Sequence, residues 1–417
     1  MPKTLDHAIN PTKTMKHKKI RRKPKDTKFT FIDLFCGIGG FHQALETLGG
    51  KCVLASDKDK RCRETYKENY GIEPMPDVKL LDDSNLPDFD ILCGGFPCQP
   101  FSNAGKKGSR TDSRGQLFDE IIRIAKLRNP KYMFLENVKH IMKISNGEVL
   151  TYILKELDDN GYKVFLNVLS PHQLGIPQQR ERVVFSCIRK DIYDKNPKDF
   201  ELKIPELPDM KTVFQKKEEV DPKYKIDETL MKVLNAWDDI VSVFEVGQRM
   251  SPTIMCAEFY KTYSPTEFGN LPKWKQEYIK KNRPIYQKYK NFWDVWFSEN
   301  KDLLTQREVY CKLEWQAGPK KPDDSIFNHF IQIRQSGIRV KKTKYFPTLV
   351  AMVQTPIYGK EKRYITPREC ARLQSFPDSF KLHPNDKFAY KQFGNAVNVD
   401  VIKTIAGQVI DLYGTGW

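Results

Sequence analysis

Residues 29–190 alternate between short apolar runs and amphipathic helical patterns, and this alternation constrains the fold more than any other feature. Four of the apolar runs are FTFIDLF, KCVLASD, FDILCGGF and KYMFLENV. Helical patterns separate or follow them, for example GFHQALETLGG and GEVLTYILKELDDNG, and YKVFLNVLS and RVVFSCIR close the series as strands. Strands that alternate with helices predict an α/β fold with a mainly parallel, doubly wound sheet.

The charge of the chain favours a polyanionic partner. The 417 residues carry a formal net charge of +17, and residues 1–28 hold ten Lys/Arg against two Asp. We expect a flexible basic arm at 1–28, because this stretch has no periodic apolar pattern. A solvated basic surface with a disordered tail is the alternative explanation.

Other classes of protein are disfavoured by the composition. No run of about 18 apolar residues is present, so no membrane span is expected, and the basic N-terminus lacks the apolar stretch of a secretory signal. The nine cysteines lack the spacing of a zinc site or a disulfide framework, so we predict no metal and a reducing compartment.

Residues 191–345 break the alternation and predict a second domain or a large insertion. They are rich in Pro, Lys and aromatic residues. Regular patterns return at 366–376, where Thr366, Pro367 and Glu369 predict a capped helix start, and in a helical run at 396–413.

A glycine turn follows the first strand, in FIDLFCGIGGF at 31–41. Gly37 and Gly39 permit a tight turn and a close backbone approach, although His42 replaces the third glycine of the strict dinucleotide motif. Asp57 ends the second strand, where an acid meets ribose hydroxyls in nucleotide-binding folds. This favours a nucleoside-bearing cofactor, with an ordinary βα turn as the alternative.

Three chemically active elements fall at strand ends. Cys98 lies in the loop GGFPCQPFSNAGKKGSR, just past a strand, and Glu136 ends the next core strand. If the two strands are adjacent, they lie about 4.8 Å apart, and both groups face one crevice. Gln178, Arg180 and Arg182 share a face if that segment is extended. Singly, each has a structural explanation, such as a packed thiol, a helix cap or surface charge.

Together these residues make the chain resemble the DNA (cytosine-5) methyltransferases of bacterial restriction–modification systems. The resemblance covers about residues 29–190 and 345–410. The matching motifs, in family order, are DLFCGIGGF, GGFPCQPFS, ENV, QQRERV, PRECARLQSFPDSF and QFGNAV.

The resemblance implies a Rossmann-like, S-adenosylmethionine-dependent core with a smaller, irregular target-recognition domain. We therefore expect the basic arm at 1–28, a catalytic and cofactor-binding domain at 29–190, a target-recognition domain at 191–365 and a C-terminal segment that returns to the catalytic domain at 366–417.

For catalysis, the resemblance makes Cys98 the nucleophile that attacks C6 of cytosine and turns C5 into a carbon nucleophile. It places Glu136 at N3 and the exocyclic amine, and Arg182 at O2, with Arg180 holding the same pocket. Pro97 would keep the loop rigid, and Asn137 would help to position it. The target base must be flipped out of the duplex.

For the cofactor, the resemblance implies contacts along the glycine turn, at two acids and near the C-terminal motif. The expected contact residues are Phe35, Gly37, Ile38, Gly39, Asp57, Lys58, Asp77, Val78, Asn395 and Ala396. Two of them depart from the family pattern: Lys58 stands where a residue that stacks on adenine is common, and Ala396 stands where Ser is common.

For DNA, the resemblance implies a mobile loop after Cys98 and a recognition region that ends near FPTLVA. The expected DNA-contacting residues are Ser102, Lys106, Lys107, Arg110, Gln178, Arg334, Arg339 and Thr348. Residues 271–296 interleave cations with Trp and Tyr, which fits either a DNA face or an amphipathic helix pair with an aromatic core.

These features predict a monomeric, cytoplasmic, DNA-associated enzyme that acts on double-stranded DNA, with a restriction endonuclease of the same specificity as a partner. Two alternatives remain open from the sequence. A tRNA cytosine-5 methyltransferase uses similar motifs, but the middle region is long for that type. A non-catalytic DNA-binding regulator would not need the intact catalytic residues.

Overall fold

A computed structural model describes most of the chain. The residues described are 27–97, 116–204, 206, 212–250, 253–342, 344–351 and 354–414. All but the last two residues of the predicted basic arm lie outside these ranges. Cys98 and the predicted DNA-contacting residues Ser102, Lys106, Lys107 and Arg110 lie outside them as well.

Six strands from the first half of the chain form one twisted sheet in the order β2-β1-β3-β4-β6-β5. β1 runs parallel to β2 and β3, β3 runs parallel to β4, and β6 runs antiparallel to β4 and β5. The mainly parallel sheet predicted from the sequence is therefore confirmed. Its strands are β1 Phe29–Leu34, β2 Gly50–Ser56, β3 Ile91–Gly95, β4 Tyr132–Val138, β5 Tyr162–Leu169 and β6 Arg182–Arg189.

Helices cover both faces of this sheet, because alternate residues of its strands point to opposite faces and both sets are apolar. Ile32 and Leu92 pack on one face with α3 and α4, whereas Phe31 and Phe134 pack on the other with α1 and α12. The helices that cover the sheet are α1 Gly40–Thr47, α2 Lys60–Tyr70, α3 Gln116–Arg128, α4 Glu148–Asp159 and α12 Val399–Tyr413.

The last helix starts later than its apolar pattern suggests. The sequence predicts helix over 396–413, but α12 begins at Val399, because the side chain of Asn398 caps it by accepting the amide of Val401 at 3.0 Å. Residue 396 is extended, with φ −61° and ψ 144°. This extended stretch passes close to the glycine turn.

The middle region is more regular than the sequence indicated. It contributes to a second six-stranded sheet, ordered β12-β11-β9-β10-β8-β7. The expectation of an irregular region is therefore wrong, since strands of two to five residues leave little periodicity in a sequence. The strands are β7 Ile254–Met255, β8 Lys312–Gln316, β9 Phe330–Arg334, β10 Gly337–Lys341, β11 Ile357–Tyr358 and β12 Arg363–Tyr364.

Aromatic helices fill the core of this second unit. The indole of Trp237 donates to the Tyr310 carbonyl at 2.8 Å, and that of Trp296 donates to Ala236 at 2.8 Å. Residues 271–296 form a helix pair with Trp293 and Trp296 buried, as one of the two sequence interpretations predicted. The helices after α4 are α5 Lys190–Tyr193, α6 Glu228–Val243, α7 Pro265–Asn270, α8 Lys273–Lys288, α9 Lys290–Leu304, α10 Pro367–Leu373 and α11 Asp386–Asn395.

A buried ion pair joins the end of the second sheet to α10. Both guanidinium nitrogens Nη1 and Nη2 of Arg363 donate to the carboxylate of Glu369, at 2.9 and 2.8 Å. The same carboxylate accepts the amides of Thr366 and Gln215, so its charge is fully hydrogen-bonded although it is buried. The predicted capping box at Thr366 is present.

No helix in the described part of the chain is long and apolar enough to cross a membrane.

We expect Glu369→Ala to lower the free energy of unfolding by about 3–5 kcal/mol, because Arg363 would keep a buried charge without its main partner. Urea denaturation followed by circular dichroism measures the change. Glu361→Ala is the control, since Glu361 pairs with the same arginine from a partly exposed position and should cost about 0–1 kcal/mol. Equal losses in the two variants would contradict this assignment.

Candidate active site

The register of β3 against β4 brings the two predicted catalytic elements together. Gly95, the last residue of β3, lies opposite Glu136 on β4. A Cβ on Gly95 would come within 3.6 Å of the Glu136 carboxylate, so the two strand ends are in close contact. From Gly95 the chain continues through Phe96 and the exposed Pro97 toward Cys98, which itself lies outside the described residues.

Asn137 fixes the chain just before this cysteine. Its side-chain amide donates to the carbonyl of Phe96 at 2.8 Å, and its side-chain oxygen accepts the amide of Val138 at 2.9 Å. Asn137 is buried, so solvent does not compete for these bonds. The asparagine therefore ties the end of β4 to the start of the loop that contains Cys98.

Glu136 is buried and paired with Arg182. Nε of Arg182 lies 2.9 Å from the Glu136 carboxylate. Burial raises the pKa of Glu136, and the positive charges of Arg182 and Arg180 offset only part of this shift. The site thus presents a carboxyl group that holds its proton to higher pH than an ordinary glutamate, beside a guanidinium.

Arg180 joins its own segment of the chain to two others that are distant in sequence. Its guanidinium donates to the carbonyls of Leu349 at 2.7 Å, Gly394 at 2.9 Å and Ala396 at 3.1 Å. It is 4% exposed, and burial lowers its pKa to about 9. These contacts make Arg180 a scaffold of the pocket, and its NH groups point at protein carbonyls.

Gln178 is not available to DNA in this structure, which corrects its sequence assignment. Its side chain is completely buried, and Nε2 donates to the Leu373 carbonyl at 3.1 Å. Gln178, Arg180 and Arg182 would share one face only in an extended segment, but β6 begins at Arg182. Gln178 instead pairs with Phe346 in an isolated bridge, and the hydroxyl of Thr348 donates to the carbonyl of Gln179 at 2.6 Å.

A cleft of about 600 Å³ opens beside these residues. Further polar side chains of the cleft, among them Lys139, His140 and His172, were not predicted from the sequence. Lys139 and His140 directly follow β4 at the same edge of the sheet. That position at a strand end is the signal that would have found them. Side chains lining the cleft include Lys139, His140, His172, Arg180, Arg182 and Thr348.

The glycine turn between β1 and α1 has the backbone geometry expected of a close ligand approach. Phe35, Gly37 and Gly39 all have positive φ, at 55°, 54° and 86°. A Cβ on Gly37 would meet no atom within 4 Å, so open space lies in front of that residue. A Cβ on Gly39 would clash with the ring of Tyr70, so its glycine is required for packing.

Asp57 connects this turn to the end of β2. Its carboxylate accepts the amide of Gly37 at 2.8 Å and the amide of Asp59 at 2.8 Å. A carboxylate has about four lone-pair sites, so two remain for a further donor. Burial raises the pKa of Asp57, although the two amide bonds oppose that shift. Lys58, next to it, is exposed.

Two more segments complete the region around the turn. Met75 exchanges backbone hydrogen bonds with Ala55 and Asp57, which holds the following Asp77 and Val78 alongside the end of β2. On the other side, a Cβ on Gly40 would touch Val397, so the Asn395–Ala396 stretch lies beside the start of α1. The structure therefore gathers the predicted cofactor residues around one turn.

Arg334 and Arg339 lie elsewhere, on the hairpin of β9 and β10 in the second sheet. Nε of Arg339 lies 2.7 Å from the carboxylate of Glu314.

Comparison with known proteins gives one consistent answer. The family model described as C-5 cytosine-specific DNA methylase matches residues 29–411. The chain is 31% identical over 388 residues to the type II methyltransferase M.HhaI of Haemophilus parahaemolyticus, covering 92% of this chain and 95% of that protein. It is 32% identical over 398 residues to the type II methyltransferase M.HpaII of Haemophilus parainfluenzae, covering 93% and 90%.

Solved structures agree on the fold. The Dnmt2 methyltransferase of S. pombe matches with a TM-score of 0.50 at 19% identity, covering 92% of this chain and 98% of that one. The methyltransferase EhMeth of Entamoeba histolytica matches with a TM-score of 0.53 at 17% identity, covering 92% and 98%. The match of the family model over residues 29–411 and the two type II relatives show that the chain belongs to the C-5 cytosine-specific DNA methylase family.

Proposed function

We propose that this DNA (cytosine-5) methyltransferase acts through Cys98, with Glu136, Arg182 and Asn137 around the target base and S-adenosylmethionine as the methyl donor. The observation that carries the proposal is the contact between the end of β3 and Glu136. β3 leads toward Cys98, and β4 carries Glu136, a buried carboxyl group with a raised pKa. The two strands pair at one edge of the sheet, with Gly95 opposite Glu136.

The chemistry requires both groups at one base. The Cys98 thiolate adds to C6 of a flipped cytosine, and the π electrons of the C5=C6 double bond shift through C4 toward N3, which leaves an enamine with a nucleophilic C5. A proton or hydrogen bond from Glu136 to N3 stabilises the charge that develops there. After C5 has gained the methyl group, loss of the C5 proton and elimination of Cys98 restore the aromatic ring.

Arg182 serves the base directly in this proposal, whereas Arg180 is a positioning residue. The guanidinium of Arg182 lies against the Glu136 carboxylate and has NH groups left for the cytosine O2. Arg180 acts through the backbone that it holds, because its hydrogen bonds reach the carbonyls of Leu349, Gly394 and Ala396.

The residues around the glycine turn fit S-adenosylmethionine. The open space at Gly37 suits a close approach of the ligand, and the free lone pairs of Asp57 suit ribose hydroxyls. Asp77 and Val78 would lie toward the adenine, and Asn395 and the Ala396 backbone toward the amino-acid part. When bound, the cofactor supplies an electrophilic methyl group.

The biological setting follows from the relatives. Both named bacterial relatives are type II methyltransferases. We propose that residues 191–365 read a short duplex sequence, that the chain acts as a monomer on DNA in the cytoplasm, and that a restriction endonuclease recognises the same sequence. The formal charge of +17 supports a DNA substrate.

The first test is methyl transfer from tritiated S-adenosylmethionine to unmethylated plasmid DNA, followed by bisulfite sequencing. Wild-type protein should label C5 of cytosine within one short motif. Cys98→Ser should transfer nothing while it still binds the duplex, because an alcohol does not add to C6 at neutral pH. Labelling by the serine variant would exclude Cys98 as the nucleophile.

Glu136→Gln should lower kcat by about 10²- to 10⁴-fold, because an amide cannot transfer a proton to N3. Since burial raises the pKa of Glu136, the wild-type rate should persist above the usual glutamate range and fall as pH rises through the raised pKa. The glutamine variant should lack this decline in its single-turnover pH profile.

Glu181→Gln is the matched control for that experiment, since Glu181 lines the neighbouring cleft and pairs with Lys139 in a solvent-exposed position. It should keep both the rate and the pH profile of the wild type. A similar loss in both variants would mean that the cleft as a whole, rather than the Glu136 proton, determines the rate.

Arg180→Lys should weaken both catalysis and cofactor binding, because lysine cannot bridge three carbonyls. Loss of charged hydrogen bonds should lower the free energy of unfolding by about 3 kcal/mol. A purely structural role predicts that loss alone. A positioning role also predicts a lower kcat and a higher KM for S-adenosylmethionine, measured well below the melting temperature.

Arg189→Lys, at a half-exposed ion pair with Asp191, is the control and should change neither constant.

A further inference from the structure

The outer surface of α8 is strongly basic. The helix has one carboxylate, Glu277, against six cations. Three of these cations, Lys273, Lys280 and Lys281, are exposed on the side of the helix that faces away from the core. The six are Lys273, Lys275, Lys280, Lys281, Arg283 and Lys288.

Lys273, Lys280 and Lys281 have no carboxylate partner among the described residues. In the part of the chain that the structure describes, the ion pairs of α8 join Lys275 to Glu258 and Lys288 to Glu245. The amines of Lys273, Lys280 and Lys281 form none there. The Lys280 amine lies over the ring of Phe268, 5.7 Å from its centroid. Amines that have no carboxylate partner among the described residues remain available to a phosphate group.

A buried asparagine fixes α8 against the second sheet. Asn282 is 1% exposed; its side-chain oxygen accepts the amide of Met255 at 2.9 Å, and its amide donates to the Thr253 carbonyl at 2.9 Å. Met255 belongs to β7, the edge strand of that sheet. The basic face is therefore held at a constant position relative to the sheet.

A recess of about 340 Å³ links α8 to β8. Tyr278 and Lys281 line it from the helix, and Glu314 and Gln316 line it from the strand. The indole of Trp274 is 58% exposed and meets the Tyr278 ring edge-on, with 6.2 Å between the ring centroids. An exposed tryptophan beside free lysines suits a sugar–phosphate surface, which offers both apolar and anionic groups.

The outer face of the second sheet continues this basic surface. Arg339 pairs with Glu314 across β8 and β10, and Lys341 stands two residues farther along β10 on the same face. Arg334 lies at the end of β9. Burial and the neighbouring Arg339 lower the pKa of both Arg334 and Lys341, as expected where cations crowd together.

We propose that α8 and the outer face of β8 to β10 form one DNA-contacting surface, in which α8 grips the backbone of the duplex outside the bases that the enzyme reads. The proposal rests on the function proposed above, because it extends the footprint of the same DNA substrate. The sheet face carries Arg334, Arg339 and Lys341, and α8 adds the unpaired lysines beyond the recess.

The test is the triple variant Lys273→Gln, Lys280→Gln and Lys281→Gln, compared with wild type by fluorescence anisotropy on a labelled mixed-sequence duplex over a salt series. Each lost phosphate contact should reduce the slope of log K against log salt by about 0.9. The triple variant should therefore lose roughly two to three units of slope. At saturating DNA its kcat should stay unchanged, while its KM for DNA should rise.

The control variant removes the same charge from α3, from the loop after α5 and from α12, outside α8 and the second sheet: Lys126→Gln, Lys198→Gln and Lys403→Gln. These three lysines are also exposed and form no ion pair within the described residues. Matching melting temperatures would show that all variants are folded. The control should keep the wild-type slope.

A second arm uses a short duplex that ends at the methylated sequence. There the triple variant and the control should bind alike, because the flanking phosphates are missing. Equal slopes for the two variants on the long duplex would overturn the proposal, as would wild-type binding that does not depend on salt. If the wild type binds DNA but transfers no methyl group, the proposed function is wrong. The difference in salt slope between the triple variant and the control then still shows whether α8 contacts DNA.

Discussion

The buried guanidinium of Arg180 is the contact on which the rest of the site depends. It binds three carbonyls from two segments that are far apart in sequence, one at Leu349 and the other at Gly394 and Ala396. Leu349 belongs to the stretch after the β9–β10 hairpin, and Ala396 lies beside the glycine turn. A planar guanidinium whose Nη1 and Nη2 atoms both bind backbone carbonyls leaves these segments little freedom. The glycine turn and the stretch that follows β10 are thus held in one geometry.

This arrangement also determines the electrostatics of the base pocket. Two guanidinium groups act on one buried carboxyl group, Glu136, and burial still dominates its pKa. The same burial lowers the pKa of Arg180 to about 9. Hydrogen bonds to three backbone carbonyls stabilise this second positive charge in the pocket. The result is a carboxyl group with a raised pKa beside two guanidinium groups, which suits the negative charge that would develop on a pyrimidine ring in the proposed reaction.

Much of this could be predicted from the sequence, because the relevant signals are local. The apolar runs of β1 to β4 located the sheet, and two of them end next to Cys98 and at Glu136. The second sheet was missed because strands such as Ile357–Tyr358 have two residues and no visible period. The burial of Gln178 was missed for another reason: its partner, the Leu373 carbonyl, is almost two hundred positions away, and a spacing rule cannot detect it.

The same limit applies to Ala396, which stands where the family pattern commonly has Ser. A residue-by-residue comparison treats the missing hydroxyl there as a lost contact. In the structure the Ala396 carbonyl accepts hydrogen bonds from Arg180 at 3.1 Å and from the buried Gln374 at 3.2 Å. Every residue type provides that carbonyl, provided that the backbone passes close enough. Gly394 secures this approach, because a Cβ there would clash with the Val350 carbonyl. The backbone position of this segment therefore depends on Gly394 and on the side chains of Arg180 and Gln374, more than on the side chain at position 396.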